Sequence, residues 1–202
     1  MSTIRAPLET PSSLAAEPIL AWRTWTLAGS REGDDVRLLP IAGDGKPWPV
    51  REPARAACHR GPRHHVVPGF ACTCGLHATH APNLLRRTRD PAVLGTVALW
   101  GRVVEHEHGF RAEIGYPQRL RLVCYLCFWR WGEGEPGTCE VVARRWGGRM
   151  VPLCGPHLEL SLRYDYRVGR LLPATRVEHT LLSTYAVDVL RIVRGRSPSP
   201  VG

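Results

Sequence analysis

The pattern of apolar and polar positions predicts short β-strands, with one helix near the end of the chain. The clearest strand is predicted at 93–104, where apolar side chains fill both alternating sets of positions and both faces should be buried. A hairpin turn is predicted near His108 and Gly109, followed by a strand at 110–114. Two further short strands are predicted, at 19–27 and 36–41.

The helix is predicted from a capping signal and from helical spacing. Thr175 and Glu178 stand three residues apart, as in a capping box. Apolar residues then recur on one helical face until Gly195, at Val177, Leu181, Tyr185, Val189 and Ile192. The sequence therefore predicts a long C-terminal helix with one buried face.

A segment at 51–83 has few apolar side chains and many Cys, His, Gly and Pro residues, so something other than a core must order it. Structural zinc is bound by tetrahedral sets of thiolate and imidazole ligands. The predicted ligands are Cys58, His65, Cys72 and Cys74. His64 is an equal candidate for the fourth position, because sequence does not separate neighbouring histidines, and the segment offers others at His59, His77 and His80.

A second cluster consists of two pairs of residues, and each pair has the spacing of zinc ligands. Cys124 and Cys127 form a CxxC pair, and Cys154 and His157 form a later CxxH pair. Pro156 suits the first turn of a helix, and the intervening residues 138–151 suit a hairpin. This order is typical of a treble clef, in which a knuckle and a helix N-terminus hold one zinc. Cys139 is left as either a small core residue or a replacement ligand, and Leu158, Leu160 and Leu162 are predicted to pack behind the helix.

Together these elements predict an α+β fold of small antiparallel sheets held together by two zinc ions, with a treble-clef-like unit and a C-terminal helix. A chain of 202 residues is long enough for one compound domain or two small ones. The predicted organisation is a flexible tail at 1–18, a β-rich zinc-binding unit at 19–120, a treble-clef-like zinc unit with the C-terminal helix at 121–195, and a flexible tail at 196–202.

The cysteine usage and the hydropathy predict a cytoplasmic protein. Tightly paired cysteines are more often metal ligands or redox thiols than disulfides in a reducing compartment. No apolar run approaches the length of a membrane helix, and residues 1–18 lack the features of a signal peptide. We therefore expect no membrane partner.

The chain carries a net charge of +9, which favours an anionic partner such as nucleic acid. Lys46 is its single lysine, and such an arginine bias is also what a GC-rich genome produces. Arginines and tryptophans are interleaved after the second CxxC pair, an arrangement that suits base stacking with phosphate binding or a protein hot spot. The candidate partner-binding residues are Trp129, Arg130, Trp131, Arg144, Arg145, Trp146 and Arg149.

Two alternatives to a zinc-stabilised binding or regulatory module remain open. The first is a metal-dependent hydrolase or nuclease, in which His106 and His108 would share one strand face near Glu113. The second is a thiol-redox sensor that uses Cys124 and Cys127. Because familiar catalytic motifs such as HExxH or a nucleophile elbow are absent from the sequence, a nonenzymatic role is favoured.

The residues around the predicted hairpin form a distinctive sequence pattern. They run from Cys72-Thr73-Cys74-Gly75-Leu76 through Gly95-Thr96-Val97-Ala98-Leu99-Trp100-Gly101 and Glu105-His106-Glu107 to Gly109-Phe110-Arg111-Ala112-Glu113 and Pro117. This segment, about residues 58–120, resembles a stretch found in small uncharacterised bacterial proteins, many from GC-rich Gram-positive organisms. The resemblance implies that the first cluster and the hairpin form one unit, and it transfers no activity. The chain departs from the pattern at His77, where an aromatic residue is expected.

Overall fold

The computed structural model describes residues 17–42, 45–58, 65–86, 88–128, 137–164 and 169–191. In these ranges the chain forms ten strands, almost all antiparallel, and three short α-helices, which confirms the predicted α+β class. The predicted tails lie outside the described residues except for residues 17 and 18. The strands are β1 Ile19–Gly29, β2 Val36–Leu39, β3 Ala54–Arg55, β4 Leu76–Thr79, β5 Val93–His106, β6 Gly109–Leu122, β7 Val141–Arg144, β8 Arg149–Leu153, β9 Leu171–Pro173 and β10 Asp188–Val189; the helices are α1 Tyr125–Phe128, α2 Gly155–Arg163 and α3 Ala174–Tyr185.

Four strands close on one another into a small ring. β5 and β6 form a long antiparallel hairpin, β1 pairs with β5, and β4 pairs with both β6 and β1. The contact between β1 and β4 is a single residue pair, Trp22 with Thr79. The side chain of Arg23 donates a hydrogen bond to the carbonyl of His77 beside this narrow seam, so it satisfies a backbone group that the short pairing leaves over.

The second half of β1 belongs to another sheet. Its residues 26–29 pair with β2, and Leu27 and Ala28 pair with β8. β8 continues this sheet through β7 to β9. One strand therefore joins the ring to the hairpin of the second Cys/His cluster.

A single main core lies beneath both sheets. It includes Trp25 and Leu27 from β1, Val97 from β5, Met150 from β8 and Leu181 from α3, each at most 2% exposed. Burial of this many large apolar side chains is the main stabilising contribution to the fold. The first half of β5 is buried on both faces as predicted, whereas Gly101–Val104 is more exposed.

β6 runs far beyond the predicted end at residue 114 and reaches Leu122. It contains the buried Pro117, which cannot donate a ladder hydrogen bond. The pairing register shifts at this point, because Val97 lies opposite Pro117 while Thr96 lies opposite Arg119. A bulge of this kind accommodates proline in a strand interior.

The C-terminal helix differs from its prediction at both ends. It begins at Ala174 after Pro173 and makes no side-chain cap, so the capping box of Thr175 and Glu178 is wrong. The Glu178 carboxylate instead accepts a hydrogen bond from the Leu122 backbone at 3.0 Å.

The helix ends at Tyr185, because Ala186 adopts a left-handed conformation with φ of 51°. Two residues further on, the chain forms β10, which pairs in parallel with Arg119 and Leu120 of β6. In this region a short strand therefore replaces the predicted helix, and it pairs with backbone groups at the edge of the sheet. Among the helices in the described ranges, none is long and apolar enough to cross a lipid bilayer.

Candidate metal centres

The first group of ligands lies between β3 and β4. The Sγ atoms of Cys58 and Cys72 are 3.7 Å apart, and Nε2 of His65 lies 3.2 Å from Sγ of Cys74. The four ligand atoms all lie within 4.8 Å of one another, and all four residues are half-buried. The structure thus brings together the four predicted ligands, while His64 lies outside the described residues.

Arg111 on β6 orders the loop that carries these ligands. Its guanidinium group donates hydrogen bonds to the carbonyls of Gly69, Cys72 and Cys74. The backbone of Gly69 donates to Sγ of Cys74 at 3.4 Å. Sequence reasoning missed this role of Arg111, because nothing near it in the chain shows that β6 faces the loop.

Replacing Arg111 by lysine should weaken metal binding at the first centre by roughly tenfold or more, because residues that orient metal ligands contribute on this scale. Lysine keeps the charge but loses the planar fork that reaches three carbonyls. A competition titration with a chromophoric chelator measures the two affinities. Arg119→Lys on the exposed side of the same strand is the matched control. Equal affinities in both variants would remove this role from Arg111.

Hydrogen bonds favour the charged form of one thiol in the first centre. The backbone and then the thiol of Cys74 lower the pKa of Cys72 to about 7. A metal binds the thiolate and not the thiol. Part of the proton release needed for binding is therefore already favourable at neutral pH.

The second group spans two separate elements. Cys124 and Cys127 lie on either side of the start of α1, whereas Cys154 precedes α2 and His157 lies in its first turn. Nδ1 of His157 lies 3.4, 3.3 and 3.2 Å from Sγ of Cys124, Cys127 and Cys154. The imidazole nitrogen therefore faces all three sulfur atoms at nearly equal distances.

The spacing of the donors fits a tetrahedral ion in both groups. Two thiolates bound to zinc at about 2.3 Å should lie roughly 3.8 Å apart. The observed sulfur separations are 3.7 Å for Cys58 and Cys72 and 3.6 Å for Cys127 and Cys154. This donor set of three sulfurs and one nitrogen can hold a metal ion at each centre.

The second centre is the more buried of the two. Cys124 is 0% exposed and Cys154 is 5% exposed. Burial raises the pKa of Cys124, and it raises the pKa of Cys127 to about 12. Such thiols stay protonated unless a cation compensates their charge, so metal binding and thiol ionisation must occur together here.

Cys139 lies beside the second centre but outside its ligand group. It packs against the buried Ala143 and Leu153, and burial strongly raises the pKa of its thiol. Of the two open possibilities, the structure places Cys139 as a small core residue.

The helix after the second centre packs less than its sequence predicts. Leu158 contacts the apolar cluster around the ligands, as expected. Leu160 and Leu162 are exposed, so the predicted packing of these two side chains is wrong. The reason is that a helix of nine residues turns only one narrow face toward the cluster.

The three candidate hydrolase residues do not form a metal-binding group, although the backbone of His108 donates a hydrogen bond to Nδ1 of His106 at 3.4 Å. His108 lies in the hairpin turn and not on the strand that His106 ends, so the prediction of a shared strand face is wrong. Glu113 instead accepts a hydrogen bond from the Arg102 backbone and pairs with Arg55 at 3.6 Å. Two groups in the described part of the chain could hold a metal, and His106, His108 and Glu113 belong to neither.

The candidate partner-binding residues have different surroundings. Nε of Arg144 donates to the Gly29 carbonyl at 3.4 Å, and Arg149 pairs with Asp90 at 3.3 Å. Arg145 is exposed, and Trp146 begins a short 3-10 turn. The remaining candidates, Trp129, Arg130 and Trp131, lie outside the described residues.

Comparison with known proteins gives no counterpart for this chain. No protein-family model, curated protein or solved structure matches it. The two candidate metal centres therefore rest on the geometry of the chain itself.

Proposed function

We propose that this chain is a binding or regulatory module, stabilised by two structural zinc ions, that recognises a protein or nucleic-acid partner. The observation that carries the proposal is the pair of four-donor groups, each made of three cysteines and one histidine. Four protein donors fill a tetrahedral zinc site, whereas a catalytic zinc keeps one position for water or substrate. Both centres therefore fit a structural role better than a catalytic one.

Zinc is the metal that the donor chemistry favours. Soft thiolates together with imidazole in a tetrahedron suit zinc, whereas magnesium and calcium prefer oxygen donors. Ligation requires reduced cysteines, and none of the seven cysteines, all of which lie in the described ranges, forms a disulfide. We accordingly place the protein in a reducing compartment, the cytoplasm.

The second centre supports a treble-clef arrangement. A cysteine knuckle at the start of α1 is followed by the β7–β8 hairpin, and then by α2 with its CxxH pair. In this arrangement the metal joins the knuckle to the first turn of the helix. The surface around it, rather than the buried metal, would then meet the partner.

The test is the zinc content of protein purified without added metal. We expect two zinc ions per chain, and one in each of the variants Cys72→Ala and Cys154→Ala, because each substitution removes one donor from one centre. Cobalt substitution adds a second measurement, since tetrahedral cobalt with three thiolates has a distinctive visible spectrum. Protein without zinc but with reactive thiols would overturn the proposal and favour the redox alternative.

A further inference from the structure

A cleft of about 50 Å³ opens next to the knuckle of the second centre. Its lining includes Tyr125, which directly follows the candidate ligand Cys124, and Arg145 and Arg149 from the β7–β8 turn. Asp90 is the one carboxylate among the lining residues. The apolar part of the lining includes Leu27, Ala92 and Met150.

The turn between β7 and β8 fixes the two arginines beside each other. The backbone of Arg145 donates a hydrogen bond to the Arg149 carbonyl at 2.7 Å. Gly147 and Gly148 both have positive φ, of 74° and 79°, which lets the chain reverse within this short span. Both guanidinium groups therefore extend from one tight turn.

Arginines outnumber carboxylates among the described residues that line the cleft. Arg149 pairs with Asp90 at 3.3 Å, and both side chains remain about half exposed, at 52% and 40%. Arg145 has no carboxylate within ion-pair distance among the residues that the structure describes. Among the described residues that line the cleft there are thus two arginines and one carboxylate, a balance that favours an additional anion.

We propose that this cleft binds one phosphodiester group of a nucleic acid, with Arg145 and Arg149 as its donors. The inference rests on the proposed function and deepens it, because it selects nucleic acid as the partner. The two free oxygens of a phosphodiester can accept from both arginines, whereas a side-chain carboxylate would repeat the pairing that Asp90 already provides. The contact positions the backbone and carries no sequence information.

The experiment measures binding of a short labelled single-stranded oligonucleotide by fluorescence anisotropy over a range of salt concentrations. Each lost phosphate contact should reduce the slope of log K against log salt by about 0.7. We expect this reduction, with several-fold weaker binding, in Arg145→Gln, and a larger one when Arg149→Gln is added. Arg102→Gln is the matched control, since it removes the same charge from an exposed position on β5 that lies ten residues after the cleft residue Ala92.

Asp90→Asn should change the affinity for the oligonucleotide in the opposite direction. It removes the competing carboxylate, so a phosphate-binding cleft should bind the oligonucleotide more tightly. Asp90 has φ of 50°, a conformation that asparagine tolerates well, so this variant should keep the fold. Zinc content and melting temperature confirm that each variant is folded.

Two results would overturn the inference while leaving the zinc-stabilised module intact. One is cleft variants that bind the oligonucleotide with the same affinity and salt slope as Arg102→Gln. The other is a wild-type protein that retains two zinc ions but binds no oligonucleotide at low salt. Binding of polyglutamate in that second case would assign the cleft to an acidic protein.

Discussion

Replacing Cys154 by alanine should unfold the region around the second metal centre. Cys154 supplies one sulfur and is also the residue from which α2 begins. Structural zinc contributes about 10–16 kcal/mol of apparent free energy in small zinc-binding peptides. That is as large as the total stability of an ordinary domain, about 5–15 kcal/mol. We expect loss of the α2 signal by NMR and a large fall in the urea midpoint.

Cys139→Ala is the control for this variant. Cys139 is a half-buried cysteine that packs against the same cluster but belongs to no ligand group. Its replacement removes one sulfur atom and should cost only about 1 kcal/mol, with both metals retained. If Cys139→Ala lost a zinc ion while Cys154→Ala kept two, the ligand assignment would be wrong.

Tyr185→Phe should give the second large effect, a loss of about 2–4 kcal/mol in the free energy of unfolding. The Tyr185 side chain is 0% exposed, and its hydroxyl joins two other segments. It accepts a hydrogen bond from the Leu38 backbone at 3.0 Å and donates one to the Trp48 carbonyl at 3.1 Å. Phenylalanine preserves the packing but leaves both buried backbone groups without a partner. Urea unfolding at saturating zinc measures the change.

Tyr116→Phe is the matched comparison. Its hydroxyl donates one hydrogen bond, to the carbonyl of Tyr185, from a part-buried position. Loss of a single such bond should cost about 1 kcal/mol. Equal destabilisation by the two substitutions would show that the hydroxyl of Tyr185 does not hold β2 and the Trp48 loop against α3.

The second metal centre could be predicted from the sequence because its chemistry is local. The pairs Cys124 with Cys127 and Cys154 with His157 each fall within one turn or one knuckle, so their spacing alone brings the donors together. The hairpin predicted between them at residues 138–151 is confirmed by β7 and β8. The wider spacing of the first centre indicated its cysteines but left the choice between His64 and His65 open.

Other features depend on contacts between distant parts of the chain. The support of Arg111 for the first loop joins residues about 40 positions apart, as its bond to the Cys72 carbonyl shows. Glu178 does not cap the helix as predicted, and its carboxylate accepts a hydrogen bond from the Leu122 backbone, 56 positions away. The helix ends at Tyr185, and residues that were predicted to continue it pair with β6 as β10. Local propensity does not predict such long-range contacts, since they form only when the chain has folded.

Because β1 belongs to both sheets, its two halves find their partners at different times while the chain is being synthesised. The first half of the strand finds its partner in β5, so the ring can close once β6 and the first metal ligands have emerged. The second half, at Leu27 and Ala28, waits for β8, which lies more than a hundred residues downstream. Until the ligands at 154 and 157 have been synthesised, a nascent chain would present an unpaired strand edge beside an exposed apolar core. We expect truncated chains that end near residue 125 to aggregate. Metal binding at the first centre alone should not prevent this aggregation.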